Sequence, residues 1–266
     1  MAFTVMTFNL RYANNHDGVN AWSNRVHKVV RTLAAHDPLV VGTQETTPVM
    51  LENLDQELRA YARVGRGRNE GGLGEHCAIY YKKDELAVED QGQFWLSEEP
   101  EREGSIGWDA LCPRICTWAH FRFRHRPEKQ FIHYNTHLDH VGKVARQQGI
   151  RLIWQAIRRR WDAAALPFVL TGDFNSHPDS EVVQFLEDEA LDAEGRFKAT
   201  NAYSVLDHPP GRTAHKFEGG ASGEPIDYIF VSPQFRLLDV HIDRRTVDGG
   251  YPSDHYPVAA RIDWMM

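Results

Sequence analysis

Short apolar or β-branched runs recur along the chain at Phe3–Phe8, Leu39–Val41, Ala78–Tyr81, Ile115–Phe123, Phe131–Asn135, Phe168–Leu170, Tyr228–Val231 and Pro257–Ile262. Their length and composition predict strands. Helical patterns lie between them at Trp22–Ala35, Pro48–Ala60, Val141–Ala163 and Asp179–Glu189. The third sets Ile153, Ile157 and Trp161 on one face, opposite Arg151, Arg158 and Arg159, as an amphipathic helix requires. Strands interleaved with helices and hairpin-like stretches predict a mixed α/β sandwich. No repeat, low-complexity tract or linker breaks the pattern, so one domain over 1–266 is the expectation.

The polar residues that close or open these runs form a second pattern. FTVMTFN ends in Asn9, PLVVGTQE in Glu45, FIHYNTH in His137, and FVLTGDFN in Asp173 and Asn175, whereas Asp227 and the pair Asp254 and His255 precede their runs. If the last two strands run antiparallel to the others, all these side chains reach one rim, where α/β sheets usually bind ligands.

Charge narrows the choice of ligand. The 266 residues carry 30 Lys+Arg against 37 Asp+Glu, a formal net charge of −7, with an ordinary 42% of hydrophobic residues. A negative chain lacks the basic face for sliding on duplex DNA, so a phosphate group would have to be held locally. No run approaches the ~18 apolar residues of a membrane span, and the N-terminus has no basic flank or cleavage site. The expectation is a cytoplasmic protein with no membrane association and no obligate protein partner. Cys112 and Cys116 in CPRIC lack a second pair, so the three cysteines read as reduced, partly buried thiols.

Asn9, Glu45, Asp173, Asn175, Asp227 and Asp254 are oxygen donors, with His137 and His255 beside them. Carboxylates gathered on one rim repel one another unless a cation joins them. Oxygen ligands select a hard divalent ion, Mg²⁺ with Mn²⁺ as a substitute. Such a site suits phosphate hydrolysis. Taken singly, Asn9 fits a strand-end turn equally well, Glu45 fits a carboxylate before a helix, and GDFNSHPDS fits a turn leading into a helix.

In this order and spacing, MTFNLR, VGTQE, NTHLDH, TGDFNSHPDS, PIDYIFVS and YPSDHYPVAARI resemble the endonuclease/exonuclease/phosphatase superfamily across nearly the whole chain. HCAIYYKKDEL and GDFNSHPDSEVVQFL are similar to its branch of carbon catabolite repressor 4 deadenylases and uncharacterised bacterial relatives, and FWLSEEP, GWDA, PRI and TW are similar to the latter. The resemblance implies a four-layer DNase I-like α/β sandwich, two mixed β-sheets packed face to face between helices. It implies Glu45 as principal metal ligand, with Asn9 and Asp254 beside it. Asp173 would orient and deprotonate water, Asn175 would donate to the phosphate, and His255, its tautomer set by Asp227, would stabilise charge or pass a proton. His137 would be a second phosphate contact.

Arg11 and Arg114 are further candidate phosphate contacts, with an exposed strand-end arginine and a salt bridge as the respective alternatives. GRGRNEGGLGEH reads as a flexible rim loop bringing Glu75 and His76 toward substrate, and Asn20 or Ser23 as a cap for the helix after DGVNAWSNR. His133, His137 and His140 fit no zinc spacing. Trp95, Trp108 and Trp118 suit core packing better than base stacking. The activity expected is a divalent-metal phosphodiesterase or nuclease, nearest a deadenylase-like 3′ exonuclease on a single-stranded RNA or DNA end. The alternatives are a phosphatase or phosphodiesterase for a small metabolite or lipid head group, and a non-catalytic phosphate-binding module. Long nucleic acid becomes a poor substrate if the arginine clusters at 63–68, 122–126 and 158–160 lie away from the rim.

Overall fold

A computed structural model describes residues 1–189 and 198–265. The first half of the chain forms β1 (Phe3–Asn9), α1 (Val26–His36), β2 (Val40–Gln44), α2 (Pro48–Glu57), β3 (Tyr61–Val64), β4 (Gly67–Asn69), β5 (Leu73–His76), β6 (Ile79–Lys82) and β7 (Leu86–Trp95). The second half forms β8 (Ile115–Phe123), β9 (Arg126–His137), α3 (Lys143–Ala164), β10 (Phe168–Asp173), α4 (Glu181–Gln184), β11 (Thr200–Asn201), β12 (Asp227–Val231), β13 (Phe235–Ile242) and β14 (Val258–Trp264). Two six-stranded sheets result, ordered β13-β14-β1-β2-β6-β3 and β11-β12-β10-β9-β8-β7. The sheets pack face to face, with α1 and α2 outside one and α3 outside the other, giving the four layers of the DNase I-like fold. Among the described residues no helix is long and apolar enough to cross a membrane.

Strand alternation assigns each face. In β1, Val5 turns toward the second sheet, while Met6 and Phe8 pack on the outer cluster with Val29 and Leu33 of α1 and Met50 and Leu54 of α2. Ile153 and Ile157 of α3 are buried, as the pattern required, and Trp161 packs against them partly exposed. Pro48 opens α2, where its missing N–H costs nothing. Ser180 caps α4 through a bond from the Val183 N–H, and that helix continues as a π-helical turn over Phe185–Glu189.

The alternation departs from a wholly apolar core in one layer between the sheets. Gln44 Nε2 donates to Thr7 Oγ1 at 3.1 Å and to Asn135 Oδ1 at 2.8 Å. Thr171 Oγ1 donates to the same Asn135 oxygen at 3.0 Å, and His133 Nε2 faces Thr171 Oγ1 at 2.8 Å. Burial alone drives the His133 imidazole down to about 3, so it is neutral here. The layer closes over Gly42, where a Cβ would lie 2.3 Å from both Asn135 Oδ1 and Thr171 Oγ1. Gly42→Ala is expected to destabilise the fold by about 1–3 kcal/mol, as overpacking does, read as a lower urea midpoint at unchanged slope.

Several elements depart from the pattern. The edge strands β7 and β13 carry exposed polar residues on an open face, so their apolar signal is diluted. Neither Asn20 nor Ser23 caps a helix: the turn before α1 starts without a side-chain cap, and Arg25 fixes this segment instead. The Gly-rich segment is an ordered hairpin of β4 and β5, because β5 continues into a main-chain bridge between His76 and Thr46. Cys77 and Cys116 are buried, Cys112 is partly exposed, and all three are free thiols.

Candidate active site

The same alternation that builds the polar layer builds the site at its open end. Asn9 follows Thr7 two residues along β1, Asp173 follows Thr171 in β10, and His137 follows Asn135 in β9, so all three continue the inter-sheet row. β1 runs parallel to β2, and β10 parallel to β9, with Asp173 in register with His137. β12 is antiparallel to β10, pairing Asp227 with Asp173, and β14 is antiparallel to β1, which returns Asp254 and His255 to this rim. The antiparallel condition set by the sequence pattern is met.

Asn9 joins the two sheets here. Its Nδ2 donates to Glu45 Oε1 at 3.0 Å and to Asp173 Oδ2 at 2.9 Å, while its Oδ1 accepts from the Arg11 N–H at 3.0 Å. Glu45 also accepts from the Tyr12 N–H at 3.1 Å. Alternation after Gln44 would turn Glu45 outward; its left-handed backbone (φ 59°) returns it to Asn9. Arg11 (φ 54°) and Asn175 (φ 47°) share this conformation, which non-glycine residues adopt at a cost and which clusters at functional sites.

His255 Nδ1 bonds Asp227 Oδ2 at 2.8 Å and lies 3.8 Å from Asp173 Oδ2. Burial opposes the His255 charge, but Asp227, with Asp173 and Asp254, overcomes it and holds the imidazolium well above the usual histidine range. Burial and then the Asp227 charge push Asp173 up to about 7. Burial, aided by Glu45, also raises Asp254. Asn175 donates its N–H to Asp173 Oδ1 at 2.9 Å and its Nδ2 to Leu138 O at 3.0 Å, with His137 Nε2 also 3.0 Å away. Burial, then the nearby Arg114 and Arg68, drive His137 well below its usual range. With Nε2 accepting from Asn175, the His137 proton sits on Nδ1, which has no partner.

The residues fit a hard divalent cation. Asp173 and Asp227 bring carboxylate oxygens within 4.8 Å of each other, and Asp227 Oδ1 is buried without a partner. Glu45 and Asp254 add carboxylates to the same rim, and Asp254 stays raised although Arg11 and Arg25 oppose the shift. Arg11 is committed to Asp17 through bonds of 3.0 and 3.1 Å, with Asp254 3.9 Å away. Arg25 is buried and donates to the carbonyls of Leu10, Arg11, Asn20 and Pro252, tying the loop after β1 to the loop before β14.

Each candidate arginine has a carboxylate partner. Arg11 lies two residues beyond the end of β1, bonded to Asp17 and part exposed beside Asp254. Arg114 makes the salt bridge of the alternative reading, to Asp139 at 3.2 Å, and also faces His140 Nδ1 at 2.8 Å. The Arg114 guanidinium is thus the neighbour of His140 Nδ1. Asp139, buried and accepting from the Val141 and Gly142 N–H groups, is the supporting residue that sequence reasoning missed; its place two residues past the end of β9 in THLDH was the available signal. Trp95 and Trp118 are buried, and Trp108 is half-buried.

The comparisons agree with this geometry. Residues 6–255 match the sequence pattern of the Endonuclease/Exonuclease/phosphatase family. An endonuclease/exonuclease/phosphatase from Bacteroides vulgatus is 34% identical, with a TM-score of 0.89 and 100% of both chains covered. A mannosyl-6-phosphatase from Bacteroides thetaiotaomicron is 32% identical, with a TM-score of 0.89 over 98% of this chain and 100% of that one. Protein angel of Drosophila melanogaster is 30% identical over 181 residues, 62% of this chain and 47% of that protein, so the chain spans about half the length of this curated relative. A family pattern covering nearly the whole chain and two facing sheets with their acids on one rim lead to the same result: the chain belongs to the Endonuclease/Exonuclease/phosphatase family, hydrolases of phosphate esters.

Proposed function

We propose that the protein is a divalent-metal-dependent phosphatase for a small phosphorylated metabolite. The observation that carries this reading is the placement of its arginines. Arg122, Arg124 and Arg126 sit at the β8–β9 turn, the end of β9 away from His137. Arg158–Arg160 lie at least 15 residues into α3, about 22 Å along its axis from the rim end. Arg63 and Arg66 pair with Asp55 and Glu103, and Arg68, which alone of these reaches the crevice beside Glu45, is paired with Glu75. Among the described residues these clusters form no basic track leading to the rim, and a nucleic-acid chain needs one. The similarity to a mannosyl-6-phosphatase over the full chain supports the same reading.

The chain's own groups suffice for the proton and charge handling. Asp173, near neutrality, orients water and takes its proton. The His255 imidazolium, fixed by Asp227, presents a charged N–H to phosphoryl oxygen. The Asn175 amide, bonded to Leu138 O and His137 Nε2, fixes the His137 ring beside Asp173. Glu45 and Asp254, with Asn9 Nδ2 orienting Glu45, would hold Mg²⁺ or Mn²⁺, which when bound supplies Lewis-acid neutralisation of the phosphate.

A 3′ exonuclease on a single-stranded RNA or DNA end is the second reading, favoured by the likeness of GDFNSHPDSEVVQFL to the deadenylase branch. One panel separates them: oligo(A), single- and double-stranded DNA, bis-p-nitrophenyl phosphate, p-nitrophenyl phosphate and hexose phosphates, each with Mg²⁺, Mn²⁺ or EDTA. Inorganic phosphate released from monoesters and abolished by EDTA is the expected result. Mononucleotides released from oligo(A) with monoesters untouched would replace it with the exonuclease.

A further inference from the structure

We infer that Arg11, held along one edge by Asp17, binds the non-bridging oxygen that a phosphate monoester has and a diester lacks, and so makes the site select monoesters; this rests on the phosphatase reading above. Arg11 Nε and Nη2 donate to the two Asp17 oxygens at 3.0 and 3.1 Å, and Asn14 Nδ2 donates to Asp17 Oδ1 at 3.2 Å. A guanidinium has five N–H donors, so this clamp leaves most of them over. Among the described residues Nη1 bonds no group, and the Arg11 side chain is 27% exposed.

The guanidinium stands at the catalytic rim. Arg11 Nε is 3.9 Å from Asp254 Oδ2, and the Arg11 N–H donates to Asn9 Oδ1 at 3.0 Å. Tyr12, the next residue, donates its N–H to Glu45 Oε2 at 3.1 Å and carries the guanidinium 4.6 Å from its ring centroid. Residues 9–12 thus run beside the acids of the site. Arg11 takes its place there in a left-handed backbone (φ 54°), which costs energy and gathers at functional sites.

Holding the loop does not require this pair. The buried Arg25 already ties it through the carbonyls of Leu10, Arg11 and Asn20, and a part-exposed ion pair adds little to stability. What Asp17 fixes is direction. A planar fork gripped along one edge presents its other edge to a ligand with little left to order.

The charge of the ligand decides what that edge is for. A phosphate monoester carries about −1.5 to −2 at pH 7 and three acceptor oxygens, whereas a diester has one such oxygen fewer and about one charge. His255 offers a single charged N–H, because its Nδ1 is taken by Asp227. A second fixed cation, set among Glu45, Asp173, Asp227 and Asp254, therefore favours the ligand with the greater charge and the extra oxygen.

The test is steady-state turnover of p-nitrophenyl phosphate with Mg²⁺ by wild type, Arg11→Gln, Arg11→Lys and Asp17→Asn. Bis-p-nitrophenyl phosphate is followed both as a substrate and as a competitive inhibitor of the monoester reaction, and urea unfolding checks that each variant is folded. Arg11→Gln should lower kcat/KM on the monoester about 10–100-fold, the loss of a charge-assisted hydrogen bond, while turnover and inhibition by the diester stay within about threefold of wild type. Arg11→Lys should recover part of the loss, since it keeps the charge without the fork, and Asp17→Asn should show the same selectivity at smaller size. Equal losses on monoester and diester would make the pair structural, an Arg11→Gln variant without loss would remove it from the site, and wild-type kinetics in Asp17→Asn would end its positioning role. Each of these overturns the inference while leaving the phosphatase reading intact. Wild-type protein inert toward every monoester overturns that reading and this one with it.

Discussion

Asp173→Asn is expected to lower kcat by about 10²–10⁴-fold, the usual contribution of a positioned general base, in a protein that stays folded. Burial and the Asp227 charge push the Asp173 carboxyl up to about 7, and it accepts from Asn9 Nδ2 and the Asn175 N–H. An amide keeps the shape and removes the proton acceptor. The stability effect has the opposite sign. Because the pKa of Asp173 is raised on folding, the native state holds a proton that the unfolded state has released between roughly pH 4 and 7. Folding of the wild type therefore weakens as pH rises through this window. In EDTA, Asp173→Asn should gain stability relative to wild type from pH 4 to pH 8, measured by urea unfolding, while phosphate release collapses. A variant that keeps its turnover within tenfold would remove Asp173 from the proton-transfer step.

Asp227→Asn is the second large effect. Asp227 accepts from His255 Nδ1 at 2.8 Å, and this bond and charge hold the imidazolium against the pull of burial. Without them the His255 pKa falls. If the charged form is the active one, the alkaline limb of the kcat/KM profile should move to lower pH in Asp227→Asn, with a loss of about 10²–10⁴-fold at neutral pH. Since the two residues act as one unit, His255→Ala alone and Asp227→Asn combined with His255→Ala should be equally inactive. Additive losses would show separate roles, and an unmoved alkaline limb would assign the titration to another group.

Much of the site was legible because period 2 is a strong constraint. Once FTVMTFN, FIHYNTH and FVLTGD are read as strands, Asn9, His137 and Asp173 must share faces with Thr7, Asn135 and Thr171. Short apolar runs located the central strands, and the burial of those strands on both faces is what made their signal strong. The edges β7 and β13 were not legible for the converse reason: an exposed face admits Asp90, Gln91 or Arg236, and the apolar signal is lost. The hairpin of β4 and β5 was hidden by its glycines, which serve tight turns here but read as mobility in isolation.

What the sequence determined by itself was therefore local: which residues alternate, which side chains close each strand, and that oxygen donors outnumber every other candidate ligand. Tertiary structure decided what those residues meet. Arg11 became a partner of Asp17, Arg114 a buried ligand of Asp139, and Glu45 a neighbour of Asn9 only through a left-handed backbone that no propensity favours. The physical reason is one of range. Alternation is set by the covalent geometry of neighbouring residues, whereas the partner of a long charged side chain is chosen among groups distant in sequence, by which carboxylate the packing of two sheets leaves within reach and out of water.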